Sequence, residues 1–314
     1  MEVAQSLSTR VVAGIDIGGT KIAIGLVDDA GKVIVRAETP THAAEGPAAA
    51  SARIIEILRT ITWRAGASID GIGIGCTGPV DPITGELGDV CTLPGWQGWN
   101  PVQELVTALG VAVAMENDAD AAALGEAQWG IGKGKSSLIG ITVGTGIGAG
   151  IILNGVVFRG ADGSHPELGH HIVEPLGPLC TCGALGCWES LASGPALEQW
   201  YAKHHPGELK TAREICDMAR AGYPGAQGAV DRMARYLGLG LSNIVSMFVP
   251  EVIALSGGVM QSSDLFLDRI LNVVPSNSRL VPAEKCEITV SSLGADAGLI
   301  GAAQVWRSRF GNHN

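Results

Sequence analysis

The 314-residue chain is 46% hydrophobic and 17% charged, which excludes a disordered polypeptide and leaves room for one large or two moderate domains with an ample core. Its 21 basic and 31 acidic residues give a net charge of −10, which argues against a nucleic-acid surface or an anionic-membrane surface. Met1 to Arg10 is polar with no apolar h-region, so no signal peptide is read, and apolar runs such as Val245 to Leu255, broken by Pro250 and Glu251, fall short of a membrane span.

After a start expected to fray, Val11 to Ile17 reads as a strand and runs into Asp16-Ile17-Gly18-Gly19-Thr20-Lys21. Strands follow at Ile22 to Val27 and, past the turn Asp28 to Gly31, at Lys32 to Ala37. A strand, glycine turn and strand put consecutive backbone N–H groups at a bend with no side chain to obstruct an anion. Thr20 adds a hydroxyl, and Asp16 can hold a metal ion through water. By itself this stretch is read as well by an ordinary hairpin.

Pro47 to Arg64 has helical periodicity with Ile54, Ile55, Ile57 and Leu58 on one face, and Ile72 to Ile74 is a buried strand. Gly71-x-Gly73-x-Gly75 imitates a dinucleotide fingerprint but runs into Cys76-Thr77-Gly78-Pro79, which opens no helix. The loops 77–82 and 93–99 follow. In the second, Trp96 and Trp99 suit either loop packing or the cover of an apolar ligand face. Val111 to Met115 is a strand, then Glu116-Asn117-Asp118, then the Ala-rich helix Ala119 to Trp129. Asp118 therefore stands between a strand's C-terminal end and a helix N-terminus, where α/β proteins put catalytic groups. The plainer reading is that Asn117 or Asp118 is an N-cap, and one could cap while the other works. Gly134-Lys135-Ser136 is no P-loop, because Trp129 stands where its first glycine belongs. Lys133 and Lys135 read as a solvated turn.

Ser137 to Phe158 repeats the opening: an apolar strand, the turn Gly144-Thr145-Gly146, a second strand, an Asn154-Gly155 turn and a third strand. Superposing Gly144 on Gly18 puts Thr142 against Asp16 and the two hairpins in step, which predicts a duplication. Two such halves would face each other across a cleft. A third glycine turn, Ser256-Gly257-Gly258-Val259, follows the strand Val252 to Leu255 and suits the wall of a base and ribose pocket.

Gly163 to Ser190 gathers Cys180, Cys182 and Cys187 with His165, His170 and His171. Thiolates at this density with one imidazole suit tetrahedral zinc, with His170 as fourth ligand and His165 and His171 as rivals. Gly-Ala-Leu-Gly between Cys182 and Cys187 supplies the turn. A disulfide or free buried thiols is the alternative, and Cys-x-Cys neighbours rarely pair. Cys76, Cys91, Cys216 and Cys286 read as reduced fillers, which fits a cytoplasmic protein. Helices are expected at Pro195 to His204, Lys210 to Ala221, Ala226 to Val249, Ser262 to Val274 and Asp296 to Phe310.

With Asp16-x-Gly-Gly-Thr-Lys21, Glu116-Asn-Asp118, Gly144-Thr-Gly146, Glu167-x-Gly-His170, Cys180-x-Cys-Gly-x-x-Gly-Cys187-x-Glu189 and Ser256-Gly-Gly258 in view, the chain resembles the ROK family of sugar kinases from about Val11 to its end. The resemblance implies an α/β fold of the duplicated actin/hexokinase/Hsp70 (ribonuclease H-like) kind, with two domains and an interdomain cleft. The domains are expected at residues 1–117 and 118–295, with a helix at 296–314 packing back on the first. It implies transfer of the ATP γ-phosphoryl group to a sugar's primary 6-hydroxyl, with glucose as the first choice. N-acetylmannosamine, N-acetylglucosamine, fructose and mannose are alternatives. Asp118 is implied as catalytic base. Gly78, Asn117, Asp118, Glu167, His170 and Glu189 are implied to bind sugar. ATP and Mg²⁺ fall to Asp16, Gly18, Gly19, Thr20, Lys21, Gly144, Thr145, Gly146, Gly257 and Gly258. A structural Zn²⁺ falls to His170, Cys180, Cys182 and Cys187, and a homodimer is implied.

Two departures bear on substrate. His165-Pro166 before Glu167 looks like the fructokinase branch, whereas the cysteine segment looks like glucokinases and N-acetylhexosamine kinases. Asp120 stands where Asn is frequent. Among readings of other classes, a sugar-responsive repressor of the family would carry a helix-turn-helix domain, for which the hairpin beginning by Val11 leaves no room. A non-catalytic sugar-binding regulator would not need Asp16, Asp118 and the glycine turns intact.

Overall fold

The structure, a computed structural model, describes residues 9–311. The polar opening Met1 to Ser8, expected to fray, lies outside the described residues, as do the last three residues of the span 296–314. In chain order the elements are β1 (Thr9–Ile17), β2 (Lys21–Val27), β3 (Val33–Pro40), α1 (Pro47–Ala65), β4 (Ala67–Cys76), β5 (Val80–Asp81), β6 (Glu86–Leu87), α2 (Pro101–Leu109), β7 (Ala112–Asn117) and α3 (Asp118–Trp129). Then come β8 (Ser137–Val143), β9 (Ile147–Leu153), β10 (Val156–Val157), α4 (Trp188–Ala192), α5 (Gly194–His204), α6 (Ala212–Arg220), α7 (Pro224–Phe248), β11 (Val252–Ser256), α8 (Ser263–Asn277), β12 (Glu287–Val290) and α9 (Ala297–Phe310). Among the described residues no helix is long and apolar enough to cross a membrane.

Local chemistry sets many of these boundaries. Helix α1 starts on Pro47, whose missing N–H is no loss in a first turn, and stops at Gly66 in the left-handed region. Helix α6 starts at Ala212, two residues after the expected Lys210, where the cap Thr211 and Glu214 form a reciprocal capping box. Helix α7 starts on Pro224 instead of the expected Ala226, because proline suits the first turn.

The described chain folds as two compact units. One holds the chain as far as Lys133, Val156–His165 and the chain from Leu293 on; the other holds Gly134–Gly155 and Pro166–Ser292. The expected boundary after residue 117 therefore moves. Helix α3 packs along α9 so closely that a Cβ on Gly125 would lie 2.9 Å from the Gly301 nitrogen, and this keeps α3 with the first unit.

The first unit is built on a sheet of order β3-β2-β1-β4-β7. Strand β1 has period 2. Val11, Ala13, Ile15 and Ile17 enter the core that holds Ile54 and Leu58 of α1, while Gly14 and Asp16 face α9. The glycines of β4 that imitate a dinucleotide fingerprint have a packing cause. A Cβ on Gly73 would lie 1.6 Å from the Ala302 carbonyl oxygen, and one on Gly71 would meet the Trp306 ring at 1.9 Å. They let α9 approach the sheet at backbone distance.

In the second unit the strands β9, β8, β11 and β12 lie side by side in that order. Ile139, Ile141 and Val143 of β8 enter a core with Leu237, Leu241 and Ile244 of α7 and Phe266 and Ile270 of α8. Both sheets have the same plan: a central strand antiparallel to the next and parallel to a later one. The duplication read from the sequence is thus present in the topology, with one adjustment. Ile17 pairs with Ile22 across four residues, whereas Val143 pairs with Ile147 across three, so β1 and β8 are in step but the second turn is one residue tighter.

Candidate active site and metal centre

Asp16 lies near the end of β1, with its Oδ2 2.5 Å from where a Cβ on Gly298 would be. Burial, then the nearby charge of Asp118, push its carboxyl up to about 6. In the following turn the Gly18 N–H donates to the Lys21 carbonyl at 3.0 Å, and Thr41 Oγ1 donates to the Gly18 carbonyl at 2.6 Å. Thr20 and Lys21 are exposed. A Cβ on Gly19 would lie 2.6 Å from the Thr92 side chain. Lys21 Nζ lies 3.0 Å from Glu38, which also pairs with Arg36.

Strand β7 ends at Asn117 and α3 begins at Asp118, one residue before the expected Ala119. Asn117 is the cap: its Oδ1 accepts from the Ala119 N–H at 2.9 Å and the Asp120 N–H at 3.4 Å. Asp118 accepts from the Ala119 N–H at 2.8 Å. Burial pushes its carboxyl up, opposed by that N–H and by the charge of His165. Gly78 adjoins this point, since a Cβ there would lie 2.8 Å from Asn117 Nδ2.

A charge cluster not expected from the sequence lies beside these residues. Asp120 is fully buried, and its Oδ2 lies 2.8 Å from His165 Nδ1 and 3.6 Å from Arg159 Nη2. Arg159 also pairs with Glu116 and donates to the Gly163 carbonyl at 3.3 Å. Glu116 is buried too, and burial raises its carboxyl while Arg159 opposes the rise. The three carboxylates at 116, 118 and 120 were the available signal, but Arg159 is distant in sequence.

In the second unit, the Gly144 N–H donates to the Gly146 carbonyl at 2.9 Å, closing the tight turn, and Thr145 is exposed. Thr142 Oγ1 lies 3.1 Å from Ser256 Oγ, so the strand ends before the two glycine turns are tied together. Gly257 takes φ 95° and passes so close to β8 that a Cβ would lie 2.4 Å from the Val143 carbonyl oxygen. Gly144, Thr145 and Gly258 line a cavity of about 690 Å³ whose other walls include Glu198, Arg213 and Arg220. The sequence placed helices at α5 and α6 but did not reveal that they enclose this cavity.

Glu167-x-Gly-His170 forms a 3₁₀ turn over Leu168–His170. Its glycine is required by packing: a Cβ on Gly169 would lie 2.2 Å from the Ile147 carbonyl oxygen. Glu167 is exposed, while Glu189, in the first turn of α4, accepts from the Ile147 N–H at 2.9 Å through Oε2.

Among the described residues, the donor atoms that converge are those of His170, Cys180, Cys182 and Cys187, all within 4.8 Å of one another. His170 Nδ1 lies 3.5 Å from Cys180 Sγ, and Cys182 Sγ lies 3.5 Å from Cys187 Sγ. A tetrahedral ion with bonds of about 2.3 Å to sulfur needs donors roughly 3.7 Å apart, so three thiols and an imidazole fit one. The rivals are accounted for: His165 is held by Asp120, and His171 Nδ1 meets the Leu168 carbonyl at 2.6 Å. All seven cysteines are free. Gly183 and Gly186 turn the chain at φ 91° and 73°. Because Nδ1 faces the thiols, Nε2 is the nitrogen of His170 left for another partner.

One open reading is decided and one expectation changes. Trp96 and Trp99 are buried in the first core in an edge-to-face pair, with Trp96 Nε1 donating to the Ala43 carbonyl at 2.9 Å, which is the loop-packing reading. Cys91 is exposed and is no core filler.

The sequence pattern of the ROK family matches residues 12–309. A glucokinase of Thermotoga maritima is 32% identical over 95% of this chain and 98% of its own length. The solved structure of a ROK hexokinase from Thermus thermophilus has a TM-score of 0.85 at 36% identity, covering 94% of this chain and 97% of that one. That of a ROK family glucokinase from Streptomyces griseus, in complex with glucose and AMPPNP, has a TM-score of 0.79 at 33% identity, covering 95% and 99%. The chain belongs to the ROK family. Its fold is the two-domain actin/hexokinase-like α/β fold of the family's sugar kinases.

Proposed function

We propose that this chain is an ATP-dependent hexose kinase that phosphorylates the 6-hydroxyl of glucose. The observation that carries this reading is Asp118, a partly buried carboxylate at a strand-to-helix junction whose capping duty is taken by Asn117. Glucose is favoured by the full-length similarity to proteins named glucokinase, one of them bound to glucose.

Asp118 accepts the hydroxyl proton as the sugar oxygen forms its bond to the γ-phosphorus and the β–γ bridging oxygen leaves with ADP. Its raised pKa brings it nearer the working pH, which makes it a better base than an exposed aspartate. The Gly18 and Gly144 turns each offer phosphate oxygens backbone N–H groups, with Gly19, Thr20, Lys21, Thr145 and Gly146 beside them. Asp16 holds Mg²⁺, which neutralises phosphate charge when bound. The cavity lined by Gly144, Thr145 and Gly258, with Gly257 next in the chain, takes the nucleoside. Asn117, Glu167, His170 and Glu189 bind sugar hydroxyls, with Gly78 beside them. His170 Nδ1, Cys180, Cys182 and Cys187 hold a structural Zn²⁺, because four protein donors leave no open position for catalysis. The enzyme works in the cytoplasm as a homodimer.

The test is Asp118→Asn. It keeps sugar binding by calorimetry and loses about 10²–10⁴ in kcat. Near-normal turnover would remove Asp118 from the base role. The sugar is tested by kcat/KM over glucose, N-acetylmannosamine, N-acetylglucosamine, fructose and mannose, with glucose expected first.

A further inference from the structure

Residues 156–165 leave the second glycine hairpin, return to the first unit and lead directly into Pro166 and Glu167. The segment closes on itself. The Gly160 N–H donates to the Ser164 carbonyl at 2.8 Å, and the Ser164 N–H donates to the Ala161 carbonyl at 3.0 Å. Two side chains fasten this small loop. Arg159, on its near side, reaches Glu116 at the end of β7 and the Gly163 carbonyl. His165, on its far side, reaches Asp120 on α3 at 2.8 Å.

Asp120 is costly where it stands. It is fully buried, and its Oδ1 has no hydrogen-bond partner among the described residues. An apolar residue of similar size would serve packing better, since a buried ion pair is seldom a net gain over a hydrophobic one. What the carboxylate provides is direction. It holds one imidazole at one place, two residues along the helix from Asp118.

We propose that His165, gripped by Asp120, is a positioning residue for sugar recognition: it fixes the point from which the chain enters the Glu167 loop. The inference rests on the reading of Glu167 as a sugar ligand. The imidazole touches no substrate. It acts through the two residues that follow it, so its loss loosens Glu167 without disturbing the glycine turn or the cavity of the second unit.

The experiment compares His165→Leu, which keeps bulk and loses the donor, with His165→Asn, whose amide nitrogen takes the place of Nδ1. Initial rates are measured against glucose and against Mg-ATP, with melting temperature and bound metal recorded. His165→Leu is expected to raise the KM for glucose about tenfold, as the loss of a charge-assisted hydrogen bond would, with the KM for ATP and metal content unchanged. His165→Asn is expected to restore most of it. An unchanged glucose KM in the leucine variant overturns the proposal. So does a parallel rise in both KM values, or an asparagine variant as impaired as the leucine one. Should the leucine variant fail to fold, Asp120→Asn gives the same reading, with a glucose-specific rise expected and its absence decisive. Glu167→Gln separates the two claims. If it leaves glucose KM unchanged, the sugar reading of Glu167 fails; if it raises KM while the His165 variants do not, only the positioning role fails.

Discussion

The two glycine hairpins are copies of one plan that have parted at a single position. Where β1 presents Asp16 just before its turn, β8 presents Thr142. Asp16 is a carboxylate held against α9, raised by burial and by Asp118 against the opposing charges of Lys21 and Arg36. Thr142 is neutral, and it spends its hydroxyl on Ser256 of the adjacent strand. The first turn spans four residues and carries Lys21; the second spans three and carries no charge. Duplication supplies two anion-sized bends; under the function proposed above, divergence makes one of them a place for metal ion and phosphate together and the other a place for phosphate alone.

The sharpest way to break this comparison is to neutralise each position in turn. Asp16→Asn should cost at least about 10² in kcat/KM for Mg-ATP, since it removes the charge that holds the ion. Thr142→Val loses one hydroxyl contact and should cost less than about tenfold. Steady-state rates at varied Mg²⁺ decide it. Equal losses would mean that the hairpins are equivalent, and that the carboxylate has no separate task.

The next largest effect belongs to the thiol site in the second unit. The Ala184 N–H, followed by the Cys187 thiol, lowers the Cys182 thiol, which disposes it to bind metal, whereas burial pushes Cys187 up to about 12. Stripping the ion with a chelator should raise the KM for glucose about 10–100-fold, the range typical of losing a ligand's support, and leave the KM for ATP largely unchanged. Elemental analysis of active protein that finds no zinc would remove the metal from the account.

Much of this was legible in the sequence because the motifs are local. Asp16 with its turn, the Asn117-Asp118 junction and the cysteine segment each sit within a few residues of chain, so spacing alone brings the groups together. The rest depends on long-range packing. Gly71-x-Gly73 opens no helix and so is no nucleotide loop by sequence, but the reason for its glycines lies more than two hundred residues later, in the α9 that packs on them. Trp96 and Trp99 carry no sign of which side of the loop is core. Arg159 and His165 are ordinary polar residues in a loop, and only the return of that loop to α3 makes them partners of Glu116 and Asp120.

A smaller effect tests how tightly the second turn is tied to its surroundings. A Cβ on Gly146 would lie 2.4 Å from Glu189 Oε2, the atom that accepts the Ile147 N–H. Gly146→Ala must therefore move the Glu189 carboxylate and should raise the KM for glucose several-fold, by the cost of about one hydrogen bond. Gly18, which opens the first hairpin's turn, behaves differently. A Cβ on Gly18 meets nothing nearer than the Lys21 carbonyl at 3.4 Å, an ordinary contact. Gly18→Ala should leave the fold and the glucose KM alone and show itself only against ATP. Initial rates over both substrates would tell the two apart.

The smallest effect is on stability, and its sign follows from Asp16. The carboxyl titrates near 3.8 when unconstrained and at about 6 in the folded chain. A raised folded pKa means that folding takes up a proton across this window. The protein is therefore free of the penalty below the lower value, loses stability as pH rises between the two, and carries the full cost above about 6. A shift of this size is on the order of 2–3 kcal/mol, reduced by the part of the carboxylate that solvent reaches. Asp16→Asn keeps the shape and removes the charge. It should melt several degrees above the unsubstituted protein at pH 7.5 and together with it at pH 4. Adding Mg-ATP at pH 7.5 should narrow the gap, because the ion supplies the charge that burial withholds. Scanning calorimetry at the two pH values checks this. A gap that widens toward acid would mean that Asp16 is stabilised as an anion by the fold itself, and the contrast with Thr142 would then rest on the Lys21 turn alone.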